Sequence, residues 1–124
     1  MQLQHCFVID DSDVVRKYAR LIFESLGYRV SEARDPHTAL DRLRGDAPHL
    51  MLIDWRIPGA DMLDFVAEVR KAGLERRPHI VYVTTENDYS DVHLAMRLGA
   101  DSHLLKPFNR EIIEMKLQEI RLAA

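Results

Sequence analysis

Short apolar runs recur along the chain, and each ends in polar or charged residues. Cys6-Phe7-Val8-Ile9 ends in Asp10-Asp11, Leu50-Met51-Leu52-Ile53 in Asp54, Ile80-Val81-Tyr82-Val83 in Thr84-Thr85, and Leu104-Leu105 in Lys106-Pro107. Runs this short, rich in branched side chains, read as strands buried on both faces. Tyr28 to Ala33 reads as another, with Val30 inward. Between the runs the apolar spacing turns helical. Ser12 or Asp13 caps a predicted helix to about Leu26, whose buried stripe is Val15, Ala19, Ile22 and Leu26, and Gly27 ends it. Asp35-Pro36 opens a second helix carrying Ala39, Leu40 and Leu43 and stopping near Gly45. A third, with Phe65, Val66 and Val69, runs from Asp61 or Met62 to Lys71, with Gly73 closing it. Asn87-Asp88-Tyr89-Ser90 opens a fourth through Leu94 and Leu98, ended by Gly99, and the last runs from about Asn109 to Leu122. Strands that alternate with helices in this way predict an α/β fold, a parallel sheet with helices on both faces and right-handed crossovers. Ligands of such sheets bind beyond the carboxyl ends of the strands.

Composition narrows the function without assigning it. At 124 residues, 47% hydrophobic and 30% charged, the chain predicts one soluble domain over 1–124 with no output domain. A net charge of −3 argues against nucleic acid as the main partner. The one cysteine, Cys6, excludes an internal disulfide and reads as a buried, inert thiol. No apolar stretch approaches the roughly 20 residues that span a bilayer, and the amino terminus carries no signal-peptide pattern, so the expected location is cytoplasmic.

The strand ends carry the chemistry. In a parallel sheet Asp10, Asp11, Asp54, Thr84 and Lys106 gather at one edge. An isolated Asp-Asp is read more readily as a helix cap than as a metal site. Asp54 shifts that reading, because close carboxylates repel unless a cation neutralises them. Mg²⁺ suits the site, as a hard ion that takes one or two carboxylates and keeps several waters. Lys106 can pair with Asp54 or with a phosphoryl oxygen, Thr84 can donate its hydroxyl to such an oxygen, and Lys106-Pro107 is a candidate cis bond.

On Phe7-Val8-Ile9-Asp10-Asp11, Leu52-Ile53-Asp54-Trp55-Arg56-Ile57-Pro58-Gly59-Ala60-Asp61, Val83-Thr84, Gly99-Ala100 and Leu105-Lys106-Pro107-Phe108, the chain resembles a response-regulator receiver domain of the single-domain chemotaxis type. The resemblance covers essentially the whole chain. It implies a doubly wound, flavodoxin-like sheet of order 2-1-3-4-5. It also implies a two-component, phosphorelay function, in which Asp54 accepts a phosphoryl group from a histidine kinase or histidine phosphotransfer protein. Asp11, Asp54 and the backbone carbonyl of Arg56 would hold Mg²⁺, and Asp10 would act through water. Thr84 and Lys106 would hold the phosphoryl oxygens, and Thr84 and His103 would form the switch. The protein is then a phosphoacceptor with self-catalysed phosphorylation and dephosphorylation rather than a conventional enzyme.

Several positions depart from the family pattern. Ile57 replaces the usual Met, Met62 stands where Gly is common and bears on the start of the third helix, and Thr85 replaces Ala or Gly and bears on access to the phosphoryl site. His103 replaces Tyr or Phe and reads as a half-buried ring. Arg56 and Glu86 are expected to face each other and gate attacking water. His5, His37, His49, His79 and His93 show no metal-ligand spacing and read as surface or loop residues. Ile113, Leu117 and Ile120 fit the core side of the last helix. Ile112, Met115 and Leu122 lie on another face, and with the fourth helix and fifth strand they predict a docking surface for a downstream protein or a second copy. Val14, Tyr18 and Leu21 form a similar stripe on the first helix. Two other functions compete. A Mg²⁺-dependent aspartyl-phosphate phosphohydrolase resembling the haloacid dehalogenase group needs a second Asp two residues after the nucleophile, where this chain has Arg56. A receiver-like scaffold independent of phosphorylation would not need all five site residues.

Overall fold

A computed structural model describes residues 4–85 and 89–123, with the side chains of 122 and 123 left out of the description. The elements are β1 (His5–Ile9), α1 (Asp13–Ser25), β2 (Arg29–Ala33), α2 (Pro36–Leu43), β3 (Leu50–Asp54), α3 (Met62–Lys71), β4 (His79–Thr84), α4 (Tyr89–Leu98), β5 (Ser102–Leu105) and α5 (Arg110–Ala123). All strand pairings are parallel, in the order β2-β1-β3-β4-β5. This is the doubly wound sheet that the alternation predicts.

Local chemistry sets the boundaries. The Ser12 hydroxyl accepts from the Val15 N–H at 3.2 Å and caps α1. Asp35 caps α2 through the Thr38 N–H at 2.8 Å, with Pro36 in the first turn. Asp61 caps α3 through the Asp64 N–H at 3.0 Å. Met62 therefore starts α3 rather than disturbing it, and its side chain is buried in the core. Strand β2 starts at Arg29, one residue later than predicted, because the Tyr28 N–H still bonds the Phe23 carbonyl at 2.9 Å at the end of α1. Gly27, with φ +92°, turns the chain out of that helix.

Successive strand residues point to opposite faces, so each central strand feeds two cores. Phe7, Ile9, Met51, Ile53, Ile80 and Tyr82 pack against α2, α3 and α4. Cys6, Val8, Leu50, Leu52, Val81 and Val83 pack against α1 and α5, where they meet Ala19, Phe23, Ile113 and Leu117. Each such aliphatic or aromatic side chain contributes about 1.5–3 kcal/mol on burial. Cys6 is fully buried, and burial pushes its thiol far up, which leaves it inert. The register places Ile9 beside Ile53, so Asp10 and Asp54 leave neighbouring strands side by side. Successive crossovers diverge between β1 and β3, and the crevice for a ligand opens there.

Candidate functional site

Asp10, Asp11 and Asp54 each offer a carboxylate oxygen within 4.8 Å of the others, and this is the one cluster of potential metal ligands of three or more residues among the described residues. Asp10 and Asp54 are buried and Asp11 is exposed. Their ligand capacities differ. Asp10 Oδ1 accepts from the Ser12 N–H at 2.9 Å, and its Oδ2 accepts from Lys106 Nζ at 2.8 Å. Asp11 makes no hydrogen bond or ion pair with a described side chain. Asp54 Oδ1 lies 2.8 Å from Lys106 Nζ, yet it receives no aligned hydrogen bond and is buried. Asp54 and Asp11 are thus the oxygens with free capacity, and Asp10 is already partnered. A buried anionic oxygen without a full donor, beside two more carboxylates, fits a hard divalent cation.

Electrostatics point the same way. Burial raises the Asp54 carboxyl above its usual range, and the charges of Asp10 and Asp11 add to the rise against the opposing pull of Lys106. Burial pulls the Lys106 ammonium down, but its close contacts with the Asp10 and Asp54 carboxylates more than offset this and hold it above its usual value. One lysine is shared between two buried carboxylates, which secures the cation but does not neutralise the site.

The backbone aims Lys106. Its N–H donates to the Thr84 carbonyl at 2.7 Å, and the Lys106-Pro107 bond is cis. Thr84 is buried, with its hydroxyl directed to the Thr85 carbonyl at 3.4 Å. Thr85 is exposed and lines a cavity of about 360 Å³ with Val15, Tyr18, Lys106, Pro107 and Phe108. His103 is partly buried and lines a separate groove of about 470 Å³ with Ile112, Met115, Lys116 and Glu119. Arg56 is exposed, its guanidinium 5.7 Å above the Trp55 ring. Glu86, its expected gating partner, lies outside the described residues. Ile112, Met115 and Leu105 are exposed, as are Val14, Tyr18 and Leu21 on α1, whereas the Leu122 side chain lies outside the described residues.

Two features escaped the sequence reading. Arg16 Nη1 donates to the Asp10 carbonyl at 2.6 Å and backs the acidic edge from α1. The contact depends on how α1 packs over β1 and β2, which no local signal records. The histidines need a correction. His5 is buried rather than on a surface or loop, its Nε2 is 2.6 Å from Ser31 Oγ, and its N–H donates to His49 Nδ1 at 2.9 Å. His79 Nε2 lies 3.0 Å from Ser102 Oγ. These three sit in a row at the amino ends of the strands, opposite the acidic edge.

Comparison with known proteins follows from this geometry. The family model described as "Response regulator receiver domain" matches residues 6–118. Chemotaxis protein CheY1 of Helicobacter pylori is 31% identical over 115 residues, covering 91% of this chain and 93% of that protein. The phosphate regulon transcriptional regulatory protein PhoB of Escherichia coli is 25% identical over 113 residues. The match covers 91% of this chain but 49% of PhoB, so the chain spans about half the length of that relative. The structure of chemotaxis protein CheY4 of Vibrio cholerae superposes with a TM-score of 0.88 at 26% identity, covering 95% of this chain and 98% of that one. Among the described residues no helix is long and apolar enough to cross a membrane.

Proposed function

This chain belongs to the response regulator receiver family, and from that membership we propose that it is a phosphorylation-controlled signalling domain with Asp54 as phosphoacceptor. Receivers are signalling domains of two-component systems that bind Mg²⁺ through acidic residues and meet histidine kinases or phosphotransfer proteins. The observation that carries the residue assignment is the position of Lys106 Nζ, 2.8 Å from both Asp10 Oδ2 and Asp54 Oδ1, at the edge where the carboxylates converge.

Asp54 Oδ attacks the phosphorus of a phosphohistidine. The O–P bond forms as the N–P bond breaks, and the released imidazole nitrogen takes up a proton. A carboxylate is a weak nucleophile that repels an incoming phosphoryl group, so the site must lower that repulsion. Lys106 is placed to do so and to stabilise charge on the equatorial oxygens. Asp11, Asp54 and the Arg56 carbonyl would hold Mg²⁺, with Asp10 acting through water, and the ion would further neutralise the phosphoryl oxygens. The Thr84 hydroxyl turns from the Thr85 carbonyl to a phosphoryl oxygen, and His103 on the adjacent strand responds. The surface that reads out this change is assigned to α4, β5 and α5, where Leu105, Ile112 and Met115 are exposed. Partner binding lost in Met115→Glu, with phosphorylation of Asp54 intact, supports that surface.

Incubation with Mg²⁺ and a small phosphodonor, followed by intact mass measurement, tests the assignment. One added phosphate that disappears in Asp54→Ala is the expected result. Rapid release of inorganic phosphate supports a phosphohydrolase, and an unchanged mass in all forms supports a scaffold that takes no phosphate.

A further inference from the structure

Beside edge strand β2, an open groove of about 670 Å³ lies between α1 and α2, next to the acidic edge, where Arg16 meets the Asp10 carbonyl. Arg16 and Arg20 line it from α1, Arg34 from the end of β2 and Arg42 from α2, on either side of the edge strand. We propose that this groove binds a small oligophosphate anion through the guanidinium groups of Arg34 and Arg42, beside those of Arg16 and Arg20.

The pairing of the arginines supports an anion. Glu32 is the carboxylate lining the groove, and it takes Arg16 Nε at 3.1 Å and Arg20 Nε at 2.6 Å. Arg16 also meets Asp13, and Arg20 lies 3.6 Å from Glu24, but both acids are on the rim with about half or more of the side chain exposed. Arg42 spends its contact on the Glu32 backbone carbonyl, which leaves its charge without a counter-ion. Arg34 is exposed and makes no ion pair with a described residue. Two guanidinium groups in one concavity thus make no ion pair among the described residues, in a chain whose net charge is −3. Like charges held together favour an anion, and the planar guanidinium fork matches phosphate oxygens two at a time. The concave shape and size suit a small molecule over the flat face of a protein.

Isothermal titration calorimetry of the full chain with sodium tripolyphosphate, in metal-free buffer of low ionic strength, tests the proposal. Without metal the three carboxylates of the acidic edge repel the probe, so binding reports the groove. The expected result is one-site binding that Arg34→Gln weakens about threefold and Arg34→Gln/Arg42→Gln at least tenfold. Backbone amide shifts on tripolyphosphate addition are expected at residues 31–34. Arg34→Gln removes an exposed side chain without a partner, so its fold is secure, and a thermal melt checks the double variant. Orthophosphate is expected to bind more weakly. ATP binding more tightly than tripolyphosphate supports a nucleotide as the natural source. Equal binding supports the phosphate chain itself. No binding, an affinity unchanged in the double variant, or an equal loss in Arg97→Gln on α4 overturns the proposal. So does a polyglutamate peptide that binds the groove and is not displaced by tripolyphosphate.

Discussion

Replacing Asp54 with Asn should stabilise the metal-free protein, although it removes the proposed phosphoacceptor. The substitution keeps the shape of a buried side chain and deletes its charge. The Asp54 oxygen lies within 4.8 Å of those of Asp10 and Asp11. At an effective dielectric near 20, one such pair of charges costs about 3.5 kcal/mol. Asp54 also carries the cost of leaving water, about 4 kcal/mol for a buried carboxylate. Against these stands the attraction of Lys106 at 2.8 Å, about 6 kcal/mol on the same scale. Lys106 keeps its aligned bond to Asp10 in the variant. Counting the buried Asp10 and leaving out the exposed, water-screened Asp11, the balance favours Asp54→Asn by about 1.5 kcal/mol, or roughly 6 °C in Tm for a domain of this size. The sign agrees with the raised Asp54 carboxyl, since a group held above its usual range is destabilising when ionised. Chemical and thermal denaturation in EDTA measure the difference. Adding Mg²⁺ to about 20 times its Kd should then stabilise the wild type by about 1.8 kcal/mol and close the gap. A variant less stable than wild type without metal, or equal stabilisation of both proteins by Mg²⁺, refutes the reasoning.

Further outcomes follow from single contacts. Gly99 has φ +132°, and a Cβ there would lie 2.5 Å from Arg70 Cγ, so Gly99→Ala should cost about 2–3 kcal/mol, and a wild-type melting curve would refute it. Asp35→Ala removes the α2 cap and should cost about 1 kcal/mol in urea denaturation, with no effect on phosphate uptake at Asp54. Burial, with nearby arginines, holds His5, His49 and His79 below the ordinary value of 6.5. Below that pH the unfolded chain takes up protons that the folded chain refuses, so stability should fall as pH drops through and below 6.5. The loss in Tm between about pH 7.5 and 5.5 should be smaller in His79→Gln, and an equal loss would remove His79 from the account.

The elements were legible because their signals are local. Apolar runs of strand length, Asp35-Pro36 and Gly27 each act within a few residues, and they placed the strands and caps to within a residue or two. The acidic cluster was legible for a different reason. Residues that end parallel strands converge whatever the sequence between them. Long-range register was not legible. Lys106 lies 2.8 Å from Asp54 as expected, but its aligned bond to Asp10, from which 96 residues separate it, was not anticipated. Arg16 reaches the Asp10 carbonyl only because α1 packs across β1 and β2. His5 looked like a surface residue near a terminus, yet pairing with β2 and β3 encloses it.

The shared lysine links the stability of the acidic edge to its proposed signal. Its backbone is fixed by the bond to the Thr84 carbonyl at 2.7 Å, so a change of charge at Asp54 is answered by the side chain first. Unmodified, Lys106 divides its charge between Asp10 and Asp54, and neither carboxylate is neutralised. A phosphoryl group on Asp54 adds more than one negative charge and draws the ammonium from Asp10. The Thr84 hydroxyl, bonded at 3.4 Å to the next carbonyl, has little to lose by following. β5 pairs Leu105 with Thr84 and His103 with Tyr82, so movement at Thr84 passes to the strand that carries His103. The apolar side chains beside His103, Ile112 and Met115, are among the described residues the ones that α5 leaves exposed. On this reading the electrostatic cost of the acidic edge is the source of the switch: a site already neutralised at rest would have no reason to move when phosphorylated.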